Sequence, residues 1–186
     1  MKDIVPGFAG SFPSLLTDVG NTVFLVADDG PHGPELWKSD GTSAGTMLVK
    51  DIHPSSQCCQ PFYLADIAST LFFAASDFRH GYELWKSDGT SSGTVMVKDI
   101  DPGPSDSPPY DLTDVGGTLY FGANDGKHGY ELWKSDGTEA GTVLVKDLYR
   151  GNNSSRPRSI TNLGGTVLFG ARSPSTGREL WSIHPL

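Results

Sequence analysis

Three histidines and four glutamates are the residues of this sequence best suited to chemistry. His32, His80 and His128 share one repeated position, with Thr176 at the fourth equivalent, and Glu35, Glu83, Glu131 and Glu179 each follow three residues later. Imidazole beside carboxylate is the pairing of general acid–base catalysis, and imidazole is a common metal ligand. Repetition argues against both roles here. Metal ligands must converge and catalytic carboxyls need unlike environments, whereas equivalent points of a repeated unit lie apart and look alike. The expectation is polar turn residues for the histidines. For the glutamates it is a structural carboxylate holding a backbone N–H or a lysine.

A second recurring set, Asp18, Asp66, Asp114 and Asn162, places one side-chain oxygen per repeat before a Val-Gly or similar turn. Four such oxygens around an axis could hold a hard cation such as Ca²⁺ in a central channel. The competing reading is that each caps its own turn. Ser135-Asp136-Gly137-Thr138 lacks both EF-hand spacing and the P-loop lysine, and Asp-Gly is common hairpin chemistry. Cys58 and Cys59 are neighbours, a strained geometry for a disulfide, and read as small loop residues. No HExxH, nucleophile elbow, CxxC pair or dinucleotide fingerprint occurs.

The elements that position these residues follow from the tryptophans. Trp37, Trp85, Trp133 and Trp181 are each 48 residues apart, the mark of a solenoid, array or propeller. One repeat divides into four short β-rich pieces bounded by Gly, Asn or Asp, for example 110–115, 118–123, 130–135 and 142–148. They predict a four-stranded antiparallel meander with strands A to D. Leu132 and Trp133 must point to opposite faces, so both faces are apolar. A single sheet cannot bury both, but stacked copies can, and radial stacking makes a β-propeller. The fold expected is all-β: one domain over 1–186, a propeller of four blades with repeats 5–52, 53–100, 101–148 and 149–186 plus 1–4. Met1-Lys2-Asp3-Ile4 matches the end of strand D and would close the last blade. The alternative is half of an eight-bladed ring formed by a dimer, so the chain is expected as monomer or homodimer.

The residues Glu-Leu-Trp-Lys-Ser-Asp-Gly-Thr at 35–42, 83–90 and 131–138 resemble the ELWxxDGT repeat family of bacterial proteins. The Gly-Thr-x-x-Val-Lys-Asp-Ile that follows is similar to that family too. In the fourth copy Glu179-Leu180-Trp181 stands, but His184-Pro185-Leu186 replaces Asp-Gly-Thr. The resemblance implies the repeat fold and an extracellular or cell-surface setting, and it carries no assigned activity.

A net charge of −8 argues against nucleic acid and anionic membranes as partners, and no apolar run is long enough to insert as a helix. Nor does the N-terminus carry the apolar core of a signal peptide. In a meander the A–B and C–D turns lie at one end, short and uniform. The B–C turns and long D–A loops lie at the other, where binding residues gather. That end carries His32, His80 and His128, and in the last loop Tyr149, Arg150, Asn152, Arg156 and Arg158. Aromatic, amide and guanidinium groups together suit a glycan or an acidic peptide. The sequence therefore predicts a non-enzymatic binding or scaffolding module, multivalent and glycan-binding in its sharpest form. A purely structural or adhesion repeat is the second reading, and a loop-built hydrolase or lyase site the third.

Overall fold

The computed structural model describes residues 2–54, 60–104 and 107–184. Every regular element is a strand. The first repeat forms β1 (Ser14–Val19), β2 (Thr22–Asp28), β3 (Pro34–Ser39) and β4 (Met47–Lys50), hydrogen-bonded in sequence order. The second forms β5 (Phe62–Ile67), β6 (Thr70–Ser76), β7 (Tyr82–Ser87) and β8 (Val95–Lys98), and the third β9 (Tyr110–Val115), β10 (Thr118–Asn124), β11 (Tyr130–Ser135) and β12 (Val143–Lys146). The fourth has three strands, β13 (Arg158–Leu163), β14 (Thr166–Arg172) and β15 (Arg178–Ile183). These are the antiparallel blades the repeat predicts.

The alternation of strand residues decides how blades meet. Ile67, Phe72 and Leu84 leave one face of the second blade and join Leu119, Phe121 and Trp133 of the third in one core. The same faces meet between the first and second blades and between the third and fourth. Leu36, Leu84 and Leu132 are wholly buried in this way, each contributing about 1.5–3 kcal/mol. The innermost strands β1, β5, β9 and β13 pack side by side in that order.

The repeated motif is an adhesive between blades. Its tryptophan packs back on the preceding blade, and its lysine reaches forward: Lys38 Nζ donates to Gly89 O (2.7 Å) and Lys86 Nζ to Gly137 O (2.8 Å). A second lysine does the same from the outer strand, Lys50 to Thr94 O and Lys98 to Thr142 O, both 2.8 Å. Each Asp-Gly turn is closed internally. Asp136 Oδ1 accepts from the Thr138 N–H (2.8 Å) and hydroxyl (2.7 Å), and Thr138 Oγ1 accepts from Gly141 N–H (2.9 Å). The turn is structural, as expected, because its oxygens are spent on its own backbone.

The termini depart from the expected closure. Residues 2–4 form no strand with the fourth sheet. Lys2 Nζ instead donates to Thr46 O (3.0 Å) and Ile4 packs with Leu25 and Trp37, all on the first blade. β13 does not pack on β1 as the other inner strands pack on their neighbours. Among the described residues no strand of the first blade packs on the fourth as neighbouring blades pack on each other, and closure by the chain's own N-terminus is corrected.

Candidate functional site

A pocket of about 590 Å³ opens where the second, third and fourth blades converge. Its aromatic walls are Tyr63, Tyr110 and Tyr130; Arg156 and Arg158 supply charge, with Asp111, Ser159 and Pro108 between them. Backbone geometry explains why these side chains point inward. Each innermost strand carries a β-bulge, an extra residue that breaks the register near its start. The bulged residues Leu15, Tyr63, Asp111 and Ser159 all lie in the left-handed region, with φ between 54° and 59°. None is glycine, and such conformations cost about 1–3 kcal/mol each and gather at functional sites. A bulge re-aims its side chain, and three of these four line the pocket.

Size complementarity makes room for the rings. Facing positions on the two inner strands are Ser14 and Val26, Phe62 and Ala74, Tyr110 and Gly122, and Arg158 and Gly170. The larger the first partner, the smaller the second. A Cβ on Gly122 would come within 2.5 Å of the Tyr110 ring, so glycine is required there. Tyr110 then stacks at a tilt on Tyr130, centroids 5.5 Å apart. Burial pushes the Tyr110 phenol up, as does Tyr130, while the charges of Arg158 and Arg178 pull it down by less. The hydroxyl thus stays neutral and sits within reach of guanidinium charge.

The loop presenting the arginines is sewn to β11 by a buried carboxylate. Glu131 accepts from the Ser155 N–H (2.8 Å), the Ser155 hydroxyl (2.6 Å) and the Leu148 N–H (3.1 Å). Arg156 N–H donates to Tyr130 O (3.0 Å), and Ser154 Oγ accepts from Tyr130 N–H (2.9 Å). Arg178 braces the far side through Arg156 O (2.9 Å) and Gly170 O (3.1 Å). The arrangement can clamp an anion between two guanidiniums and lay a flat or apolar group on tyrosine faces.

No family model matches the chain, and no curated protein matches it by sequence. Solved structures do match in fold. The crystal structure of puromycin hydrolase aligns with a TM-score of 0.61 and 18% identity, covering 92% of this chain and 26% of that one. A mutant of that hydrolase complexed with PGG aligns with a TM-score of 0.61 and 19% identity, over the same shares. The chain spans about a quarter of the length of either of these two structures. Their fold supports the propeller-blade architecture. It also corrects the expectation of a non-enzymatic protein: blades stacked in this way occur in hydrolases, so the lack of a familiar catalytic motif does not assign the chain to the non-enzymes.

The other candidate residues fall elsewhere. Of the loop set, Arg156 and Arg158 reach the pocket; Tyr149, Arg150 and Asn152 are not among its lining residues. The histidines do not line it either. Each pairs through Nδ1 with the aspartate three residues before it, His32 with Asp29, His80 with Asp77 and His128 with Asp125, at 2.7–2.8 Å. These hydrogen bonds raise each histidine. Burial pushes the aspartates up, but the histidine bonds outweigh it and their values fall. Glu35 and Glu83 are buried like Glu131 and accept loop N–H groups, His53 for the first (2.9 Å), Ile100 (2.8 Å) and Asp101 (3.0 Å) for the second. Glu179 is exposed.

Asp18, Asp66, Asp114 and Asn162 are all exposed. Asp114 Oδ1 accepts from Gly117 N–H (2.7 Å) and Asn162 Oδ1 from Gly165 N–H (2.9 Å), which is turn capping. A cation would have to share or displace those bonds. Among the described residues no group of three or more His, Cys, Asp or Glu could hold a metal ion. Cys58 and Cys59 lie outside the described residues.

Sequence reasoning missed Tyr63, Tyr110, Asp111 and Tyr130. The signal was there in the differences between copies: Leu15, Tyr63, Asp111 and Ser159 share one position and no chemistry, while the next position is Leu16, Leu64, Leu112 and Ile160 throughout.

Proposed function

We propose that the chain is a ligand-recognition segment built of propeller blades, and that its pocket takes an acidic glycan. The observation that carries this is two guanidiniums beside three tyrosines in a chain of net charge −8. A guanidinium meets a carboxylate with two parallel N–H donors, and tyrosine faces offer flat apolar area for a sugar ring. The pocket volume falls within the ~300–1,000 Å³ usual for small-ligand sites. One such site per chain follows, because Arg156 and Arg158 correspond to Phe12 and Ser14, Gln60 and Phe62, and Pro108 and Tyr110 in the other repeats. In a hydrolase such a site would hold substrate; in a surface protein of the ELWxxDGT kind it would hold the partner's glycan.

Calorimetry with a uronate oligosaccharide, its neutral counterpart and an Asp/Glu-rich peptide tests the reading. The uronate should bind, more weakly in salt, and Arg156→Ala with Arg158→Ala should abolish binding. Binding of the peptide alone would make the ligand class wrong, and binding indifferent to both arginines would make the site wrong. Melting that rises with Ca²⁺ would restore a cation to the Asp18, Asp66, Asp114 and Asn162 set.

A further inference from the structure

The two end faces of the blade stack match the two halves of an interface that the chain already builds three times. Between neighbouring blades, Val115, Tyr120 and Leu132 meet Val167, Phe169 and Trp181, and the equivalent residues meet in the other two cores. Continuing the series by one step, the fourth blade offers Leu163 and Leu180, which are 64% and 74% exposed. On the first blade Leu16 is open at 67%, while Leu25 and Trp37 at the equivalent positions are already buried with Ile4 and Leu48. Leu64, Leu112 and Ile160, the equivalents of Leu16, all pack on a preceding blade.

The N-terminal residues already stand where a preceding blade would place its outer strand. Lys2 Nζ donates to Thr46 O at 3.0 Å, as Lys50 does to Thr94 O and Lys98 to Thr142 O at 2.8 Å. Lys2 also lies 5.9 Å from the Trp37 ring, as Lys50 lies 5.8 Å from that of Trp85. What the first blade lacks beside these residues is three inner strands. Among the described residues the fourth sheet consists of the three inner strands β13, β14 and β15.

We infer that two copies of this chain join end to end into a ring of eight blades, residues 2–4 of each copy becoming the outer strand of its partner's fourth blade. The register is fixed by the existing pairs Leu36 with Lys50, Leu84 with Lys98 and Leu132 with Lys146. By the same spacing Leu180 pairs with the partner's Lys2. Head-to-tail contacts close into rings when the rotation allows. Two copies give eight blades, within the range of known propellers, and three would exceed it. The ring also covers the open edge of β15, which would otherwise invite unselective strand pairing.

Sedimentation of the whole 186-residue chain at tens of micromolar tests this, alongside Leu16→Asp and Leu180→Asp. Both positions are open in the single chain, so circular dichroism of the dissociated variants should match the parent. The parent should sediment as a dimer whose melting rises with concentration. Each variant should weaken the dimer by about a hundredfold or more, because the ring would bury an unpaired carboxylate. Lys2→Glu should weaken it too, and serves if an aspartate variant fails to fold. A monomeric parent, a dimer indifferent to all three substitutions, or a species that lengthens steadily with concentration would each overturn the ring.

Discussion

Glu131 and Asp136 sit at opposite ends of one strand, and their carboxyl groups are driven in opposite directions. Burial pushes Glu131 up, as it does Glu35 and Glu83, both to about 7. Asp136 is exposed and held down by the Thr138 hydroxyl and N–H, as Asp40 and Asp88 are by Thr42 and Thr90. At the turn end the hydrogen bonds within each turn are local and recur unchanged, and the lysine contacts between turns recur at the same spacing, so three blades look alike. At the loop end one buried acceptor catches a different loop each time, at His53, at Ile100 and Asp101, or at Leu148 and Ser155. A repeated carboxylate thereby lets unrepeated chemistry be mounted on a repeated frame. The pocket is at that end for this reason.

The largest expected effect is on pH dependence, which separates the two ends directly. Glu35 and Glu83 hold protons in the folded state well above the ordinary carboxyl value of 4.5, because burial disfavours the charge. Their contribution is full below 4.5 and is lost as pH rises through about 7. Each is linked to stability on the order of 3 kcal/mol. The raised histidines act in the same sense, with stability present below 6.5 and lost above it. The lowered aspartates at the turns contribute above 3.8 and lose that contribution as pH falls. Melting temperature should therefore peak on the acid side of neutrality and fall towards pH 8. Glu83→Gln should flatten the alkaline limb; an unchanged limb would mean the glutamate titrates normally.

Next in size is Glu131→Ala, which strands two buried N–H donors and frees the loop that carries the arginines. Urea denaturation should show a loss of about 3 kcal/mol, with the pocket's ligand affinity falling in parallel. Thr138→Ala, at the other end of the hairpin, should cost about 1 kcal/mol and leave affinity alone. Equal losses of affinity would erase the distinction between the ends.

Gly122→Val tests the packing beneath the pocket. Overpacking against Tyr110 should cost about 2 kcal/mol. Adding Tyr110→Ser recreates the Ser14 and Val26 pair of the first blade and should recover most of that loss, measured as a double-mutant cycle. Smallest of all, Lys86→Met removes one forward contact to Gly137 O and should cost about 1 kcal/mol at the turn end without touching the pocket.

The blades were legible because their information is local and repeated four times. The bounds 110–115 and 130–135 coincide with β9 and β11, and Leu132 and Trp133 do part to opposite cores. Two things were not legible. Plain alternation misplaces Tyr63, Asp111 and Ser159, since a bulge with positive φ shifts the pleat at a residue type that does not announce it. Closure within one chain by residues 2–4 was the other misreading, because the matching motif identifies which strand they imitate but not which blade receives it.

The forward reach of the lysines has an entropic consequence. Lys38 and Lys86 find partners 51 residues ahead, and Lys50 and Lys98 find theirs 44 ahead. These spans stay the same however many repeats a chain contains. Loop-closure cost grows with the separation of the contacting residues and not with total length. The entropic cost of joining each repeat to the one before it is therefore the same at every junction, whatever the number of repeats.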